Sequence, residues 1–354
     1  MKTGYFPYRP GGNPYQTLFS SALENNGVEV IRIPPRKIFP LHHAKSHDID
    51  ILHMDWPHDL YRGKMYVHQI LKRIMYISGL AYKKKIPLVW TAHNLVAHEA
   101  NNHFYEKKMV QKLINHCSGI VVLSETSKKL LYSTYNVKEN TSVEVIYHGH
   151  YIDAYPNTIL RDEARQILNI DLSKKVILFL GRIQPYKGIE QLIAAVTDLD
   201  DSEYLLLIAG PSSSLEYIKT LEHNIYNKNG SDSIIMHPDF VDDTELQNYF
   251  NACDVVALPY QRILNSGSLL LAMSFGKSVI APRLGSIPEI AYSESYYGYD
   301  SKNRDGLKNA LQEALLNPDI VESGLRSIQY SKTKYSWDNV GSRMSRMYSK
   351  LVIP

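Results

Sequence analysis

Short apolar, β-branched runs alternate with longer segments in which apolar residues recur every three or four positions. VEVIRIP (28–34), DIDILHMDW (48–56), IPLVWTAHN (86–94) and SGIVVLSE (118–125) read as buried strands, each with three or more Val, Ile or Leu. Between them NPYQTLFSSALENNG, KMYVHQILKRIMYISGLAYKKK and EKKMVQKLINHC have helical periodicity. The pattern then restarts. KKVILFLG (174–181), YLLLIAG (204–210), SIIMHP (233–238), CDVVALPY (253–260) and KSVIAP (277–282) are predicted strands. EQLIAAVTDL, LEYIKTLEHNIY, DTELQNYFNA and GSLLLAMSFG are the intervening helices. Such alternation predicts two parallel sheets with crossover helices, an α/β chain of two Rossmann-like halves.

The break falls between roughly 150 and 172, where YIDAYPNT and DEARQILNIDLS carry turn residues and a short helix. The expected division is an N-terminal, acceptor-binding domain over 1–155, a C-terminal, donor-binding domain over 156–335, and a final helix over 336–354. No repeat or low-complexity tract interrupts it.

Composition narrows the class. The 354 residues are 44% hydrophobic and 21% charged, with a formal charge of +3. That describes two folded cores and excludes a disordered or nucleic-acid-coating chain. The two cysteines, Cys117 and Cys253, stand in apolar contexts without metal spacing, as reduced buried thiols of a cytoplasmic protein do. The segment MKTGYFPYRPGGNPYQ lacks an apolar signal core, and no run reaches the roughly 18–20 apolar residues of a membrane span.

In open parallel sheets ligands bind beyond the carboxyl ends of the strands, so the polar residues found there become the candidates. In FLGRIQPYKGIEQLI, Arg182 and Lys187 flank a tight turn that Gly181 and Gly188 permit. Arg182 can fork onto a diphosphate and Lys187 can add a point charge; both also read as solvated loop cations. After CDVVALPY, the run Asn265-Ser266-Gly267-Ser268 opens a helix and presents free backbone N–H groups, an anion site or a plain serine cap. Together these groups can stabilise a departing nucleoside diphosphate without a metal.

GRIQPYKG with AMSFGKSVIAPRLGSIPEI resembles the donor domain of group-1 (family 4-like) glycosyltransferases over about residues 175–292. GGNPYQ, HMDWP and TAHNL match the N-terminal half more loosely. The resemblance implies the GT-B fold: two Rossmann-like domains facing across a cleft, the last helix crossing back to the first domain. It also implies that Arg182 and Lys187 bind the donor diphosphate and that Glu289 sits in a donor-side loop. It places the nucleobase against the backbone of Phe240 and Val241, and the Gly11-Gly12-Asn13 loop beside the diphosphate or the acceptor. Gly12 is thereby a donor residue and Asn13 an acceptor residue.

One departure bears on mechanism. Retaining members of that group carry two glutamates eight residues apart, and the matching positions here are Ile263 and Leu271. Aliphatic side chains cannot hydrogen-bond ribose or sugar. ILNSGSLLLAMSFG instead resembles a bacterial branch containing inverting, GDP-mannose-dependent β-mannosyltransferases of exopolysaccharide assembly (family 94-like). An inverting transfer needs a general base. Candidates follow two strands: His53, Asp55 and His58 in LHMDWPHD, and His93, His98 and Glu99 in WTAHNLVAHE. Glu99 and Asp55 rank nearly level, with His93 as the third catalytic candidate. Trp56 and His98 are acceptor candidates, Trp56 because an indole stacks on a pyranose face. Each also has a structural reading: Asp55 or Asp59 as a helix cap, His53 as a satisfied core residue, Trp56 as packing. His148-Gly149-His150-Tyr151 marks the junction, as a donor contact or a hinge.

The expected activity is transfer of a hexose from a nucleotide sugar, GDP-mannose favoured, to a glycan or lipid-linked acceptor in bacterial surface polysaccharide synthesis. The alternatives are a retaining transferase with other donor contacts and an inactive nucleotide-sugar-binding scaffold. No metal or cofactor is expected, and no nucleic-acid partner. An oxidoreductase is disfavoured because no G-x-G-x-x-G follows a strand. A metal-dependent GT-A transferase is disfavoured because the Asp48-Ile49-Asp50 pair opens a strand instead of closing one. Lys72, Arg73, Lys83, Lys84, Lys85, Lys107, Lys108 and Lys112 gather in first-domain helices, a solvated face or one suited to the anionic inner surface of the cytoplasmic membrane.

Overall fold

The computed structural model describes residues 1–9, 11, 13–35, 39–40, 47–62, 66–82, 86–95, 103–199, 203–227 and 233–352. The chain divides into two units, one formed by Met1–Gly149 with Tyr335–Pro354, the other by His150–Lys334.

The first unit is a parallel sheet of β1 (Lys2–Phe6), β2 (Glu29–Arg32), β3 (Ile51–Met54), β4 (Leu88–Ala92), β5 (Gly119–Val122) and β6 (Ser142–Val145), in the order β2-β1-β3-β4-β5-β6. Every residue of β3, β4 and β5 is buried, as expected for strands covered on both faces. Its helices are α1 (Tyr15–Asn25), α2 (Tyr66–Tyr82), α3 (His103–Ile114) and α4 (Glu125–Thr134). On α1, Tyr15, Phe19, Ala22 and Leu23 form the buried stripe.

The second unit repeats the plan with β7 (Lys175–Leu180), β8 (Tyr204–Ala209), β9 (Ile234–His237), β10 (Val255–Ala257), β11 (Ser278–Pro282) and β12 (Tyr296–Tyr299), ordered β12-β11-β10-β7-β8-β9 and parallel throughout. Its helices are α5 (Arg161–Ile167), α6 (Ile189–Thr197), α7 (Leu215–Asn227), α8 (Leu246–Ala252), α9 (Gly267–Ser274), α10 (Ile287–Ile290), α11 (Gly306–Leu316) and α12 (Ile320–Lys334). At the amino end of β7 the fully buried Arg165 pairs with Asp254 at 2.8 Å and donates to the carbonyls of Ala252, Leu172 and Lys174. Asp254 in turn accepts from the Val176 N–H at 2.7 Å, so α5 is tied to the sheet on the side away from the strand ends that matter below.

The closing helix α13 (Trp337–Val352) belongs to the first unit. It buries Val340, Met344, Met347 and Tyr348, a helical stripe, in the same core as Tyr15, Phe19 and Leu23 of α1.

Three strands have no counterpart among the nine apolar runs: β1 (KTGYF), which Thr3 and Gly4 interrupt, and two at the sheet edges. β6 (SVEV) and β12 (YYGY) are edge strands with one neighbour each, partly exposed, so neither needs the continuous apolar run that marks the inner strands. The helices α11 and α12 also went unread, in a stretch beyond the last predicted strand. The basic helix face needs a correction. Lys72 and Arg73 turn inward: Lys72 Nζ donates to the Asp59 carbonyl at 2.9 Å, and Arg73 lies 4.6 Å from the Tyr105 ring centroid. Lys83, Lys84 and Lys85 lie outside the described residues.

Candidate functional site

In the second unit the strand order reverses direction at β7, whose neighbours are β8 and β10. The loops leaving β7 and β10 therefore diverge around a crevice, the usual place for a ligand in such sheets. The loop after β7 begins at Gly181, with φ 142°, passes a 3-10 turn at Pro185–Lys187 and enters α6 through Gly188, with φ 75°. A Cβ on Gly188 would lie 1.9 Å from the Pro259 carbonyl oxygen, so this glycine lets the β7 loop close against the β10 loop. The Gln261 N–H donates to the Tyr186 carbonyl at 3.0 Å and fastens the two loops again.

Closure gathers a polar cluster. Lys187 Nζ sits 4.6 Å from the Tyr260 ring centroid, a cation–π contact. The Tyr260 hydroxyl lies 3.0 Å from Ser266 Oγ, and Ser266 caps α9 by accepting from the Leu269 N–H at 3.1 Å. Burial would raise the pKa of the Tyr260 hydroxyl, but the Lys187 ammonium and the serine hydroxyls bring it below the ordinary value. A Cβ on Gly181 would meet only Ser268 Oγ, at 3.9 Å, so open space separates the β7 strand end from the tip of α9. Arg182, next to Gly181, is exposed and makes no hydrogen bond or ion pair among the described residues. The free N–H groups of α9, the Lys187 ammonium and the Arg182 guanidinium are groups whose chemistry suits an anion.

The other expected donor residues make contacts of their own. Asn265 faces α10, where its Oδ1 lies 3.1 Å from Ser286 Oγ. Glu289 is half-buried on α10, and its carbonyl accepts from Lys334 Nζ at 3.2 Å. Phe240, 66% exposed, and Val241 follow β9, two strands from β7 at the sheet edge. Ile263 and Leu271 are both half-buried. Tyr260 is not among the sequence candidates, although an aromatic directly after a buried strand, in ALPYQ, marks it.

The first unit has its own direction change, at β1 between β2 and β3. Asp55 leaves β3 there, its N–H donating to the Phe6 carbonyl at 3.0 Å and its carbonyl accepting from Trp90 Nε1 at 3.3 Å. The residue is 2% exposed. One carboxylate oxygen accepts from the Tyr5 hydroxyl, and the other lies 3.4 Å from both His53 Nε2 and His93 Nε2. Burial works to raise its pKa, yet the two imidazoles outweigh that and hold the carboxyl well below the usual range. Asp55 thus caps no helix.

His53 is fully buried between Tyr348 of α13, which meets Nδ1, and Thr91, whose Oγ1 is 2.8 Å from Nε2. It is the satisfied core histidine among the readings offered. His93, at the end of β4, is 12% exposed at its side chain. Trp56 stacks on it at 4.6 Å and 17°, so one indole face is already taken. The Tyr15 ring stands edge-on to His93 at 4.9 Å, and the His148 ring lies 4.6 Å from Tyr15. Burial pushes His148 down to about 4. A small cavity of about 50 Å³ is lined by Asp55, Trp56, His58, His93 and also Glu106. Glu106, unread in the sequence, is 7% exposed and held by the Tyr61 hydroxyl at 2.8 Å and by Arg62.

Asn13 Oδ1 accepts from the Tyr15 N–H at 2.9 Å, a local turn leading into α1. Gly12, His98 and Glu99 lie outside the described residues. Asp50 closes no strand; its carboxylate accepts from the Lys2 N–H at 2.7 Å at the start of β3. Cys117 and Cys253 are buried and unbridged. Among the described residues no group of three or more His, Cys, Asp or Glu side chains is placed to hold a metal.

Two six-stranded parallel sheets, each flanked by helices and each with a switch in strand order, are the architecture of a GT-B glycosyltransferase, and the comparisons agree. Residues 161–334 match the family model "Glycosyl transferases group 1", and residues 30–153 match "Glycosyltransferase Family 4". The chain is a group 1 glycosyltransferase. It is 26% identical over 339 residues to a GDP-mannose:glycolipid 4-beta-D-mannosyltransferase of Xanthomonas campestris pv. campestris, covering 95% of this chain and 88% of that one. It is 27% identical over 289 residues to a D-inositol 3-phosphate glycosyltransferase of Corynebacterium glutamicum, covering 76% and 68%. Among solved structures, sucrose-phosphate synthase from Thermosynechococcus elongatus superposes with a TM-score of 0.77 at 17% identity, over 99% of this chain and 98% of that one. Anabaena HepE in complex with UDP-glucose gives 0.75 at 16%, over 99% and 100%. At such identities these two structures speak for the fold.

Proposed function

We propose that this glycosyltransferase moves mannose from GDP-mannose to a glycan or glycolipid acceptor, with inversion and without a metal, in bacterial surface polysaccharide synthesis. The observation that carries the reading is the cluster of Lys187, Tyr260 and Ser266 at the tip of α9, with Arg182 beside it. A glycosyl transfer leaves a nucleoside diphosphate whose negative charge grows as the bond breaks. Lys187 and a helix tip, fixed in advance by the loop closure at Gly188, meet that charge without reorganising, and the exposed Arg182 adds a second cation. They do the electrostatic work a divalent cation does elsewhere.

Inversion follows from what the donor side lacks and the first unit has. Ile263 and Leu271 stand where retaining relatives carry glutamates, and neither can contact the sugar by a hydrogen bond. A single displacement then needs a base for the acceptor hydroxyl. His93 serves as that base: Asp55 fixes its ring and stabilises the imidazolium that forms, while Trp56 holds its face. Asp55 itself is too deeply buried and too weak a base to take the proton directly. Mannose and guanine come from the Xanthomonas relative, whose name specifies both the donor and a glycolipid acceptor.

The test is thermal stabilisation by GDP-mannose set against UDP- and dTDP-sugars, followed by NMR assignment of the product anomer. Stabilisation by a uridine donor alone overturns the donor, and an α-mannoside overturns inversion.

A further inference from the structure

The helix α2 is built inside out. Its residues Val67, Leu71 and Ile74 are 61%, 52% and 56% exposed, and Ile70 and Met75 are exposed beside them. These positions recur at helical spacing, so they form one continuous outward stripe, continued by exposed Ser78 and Ala81. The polar residues Gln69, Lys72 and Arg73 face inward with Tyr76. Water normally sees the opposite pattern. The stripe extends onto α3, where Phe104 is 61% exposed and Tyr105 is packed under Arg73.

The exposed charge on these two helices is of one sign. α2 contains no Asp or Glu, and the acidic residue of α3, Glu106, is buried and paired with Arg62. Lys107, Lys108 and Lys112 are exposed on α3, and the Lys108 ammonium lies 4.1 Å from the Phe104 ring centroid. A second copy of the chain is a poor occupant, because a twofold contact through this face would bring the lysines of both copies together. Among the described residues no helix is long and apolar enough to cross a membrane.

We propose that the outer face of α2, with Phe104 and the α3 lysines, docks this protein on an anionic lipid bilayer. The apolar stripe enters the headgroup–acyl boundary, and Lys107, Lys108 and Lys112 meet lipid phosphates. The inference is independent of the sugar donor and of the anomeric outcome.

Co-sedimentation with vesicles of phosphatidylglycerol and phosphatidylcholine tests it, with phosphatidylcholine alone as the comparison. Wild type is expected to pellet with the anionic vesicles, less so at high salt. The double variant Leu71→Glu/Ile74→Glu should lower partitioning by about tenfold or more, because two apolar side chains no longer insert. Lys107→Ala/Lys108→Ala/Lys112→Ala should abolish the preference for anionic lipid. The altered side chains are exposed, so both variants should melt as wild type and still be stabilised by nucleotide. Wild type remaining in the supernatant, or equal binding by the Leu71/Ile74 variant, overturns the proposal. So does light scattering that shows a wild-type dimer split by that variant with vesicle binding unchanged.

Discussion

Lys187 and Tyr260 approach to 4.6 Å from loops on opposite sides of the switch in strand order, one following β7 and the other β10. The contact holds the ammonium at the tip of α9, while Arg182 reaches out of the same turn with no partner among the described residues. A side chain held in place before the ligand arrives costs little ordering entropy on binding.

Replacing Lys187 by Ala should therefore lower transfer by roughly a hundredfold, with Arg182→Ala similar and the pair worse. The loss should fall mainly on kcat, because the charge that these groups meet develops in the transition state. Steady-state kinetics with the donor varied will show it. Unchanged kcat in both single variants would remove the cluster from catalysis.

Tyr260→Phe keeps the ring under Lys187 but removes the hydroxyl that meets Ser266. We expect a smaller effect than for Lys187→Ala, near tenfold or about 1.4 kcal/mol, the size of one hydrogen bond to a charged cluster. Isothermal titration with the nucleoside diphosphate separates binding from turnover.

Gly188→Ala should destabilise the second unit by about 2 kcal/mol or more. The glycine has φ 75° and its Cα abuts the Pro259 carbonyl, so the methyl group forces the two loops apart. Denaturant unfolding reports the cost, and nucleotide stabilisation should weaken in parallel because the cluster opens.

His93→Gln should abolish most transfer, by about a hundredfold to ten thousandfold, while leaving nucleotide binding intact. Asp55→Asn should lose activity comparably, since the imidazolium loses its counter-charge. Full activity of His93→Gln would move the base elsewhere, with Glu99 the next residue to replace.

Stability should also depend on pH through His148. Its folded-state value is about 4, against an ordinary 6.5 that the unfolded chain regains. Below 6.5 the unfolded chain takes up a proton that the folded chain refuses, so stability present above that pH drains away as the pH falls toward 4. The loss is about 1–3 kcal/mol. In thermal melts across this window wild type should lose stability more steeply than His148→Phe, which lacks the titrating group.

Much of this molecule is legible in one dimension. Runs such as LVWTA and VILFL are apolar throughout because strands covered on both faces have no solvent side, and their alternation with amphipathic segments dictates parallel sheets. The strand-end positions of Arg182, Lys187 and Ser266 were readable too, since the runs before them are buried strands that end there. Partnership was not readable. Nothing in local sequence says that Tyr260 would lie under Lys187, that Glu106 would share a cavity with Asp55 and His93, or that Tyr348, from the last helix, would hold His53. Nor does periodicity reveal which side of α2 faces out: a helical stripe has the same spacing whether it meets the core or the solvent, and only packing assigns it. Local chemistry chose the elements and their order, because burial and hydrogen bonding act along the chain; the neighbours of each side chain were chosen by sheet order and loop closure, which act across it.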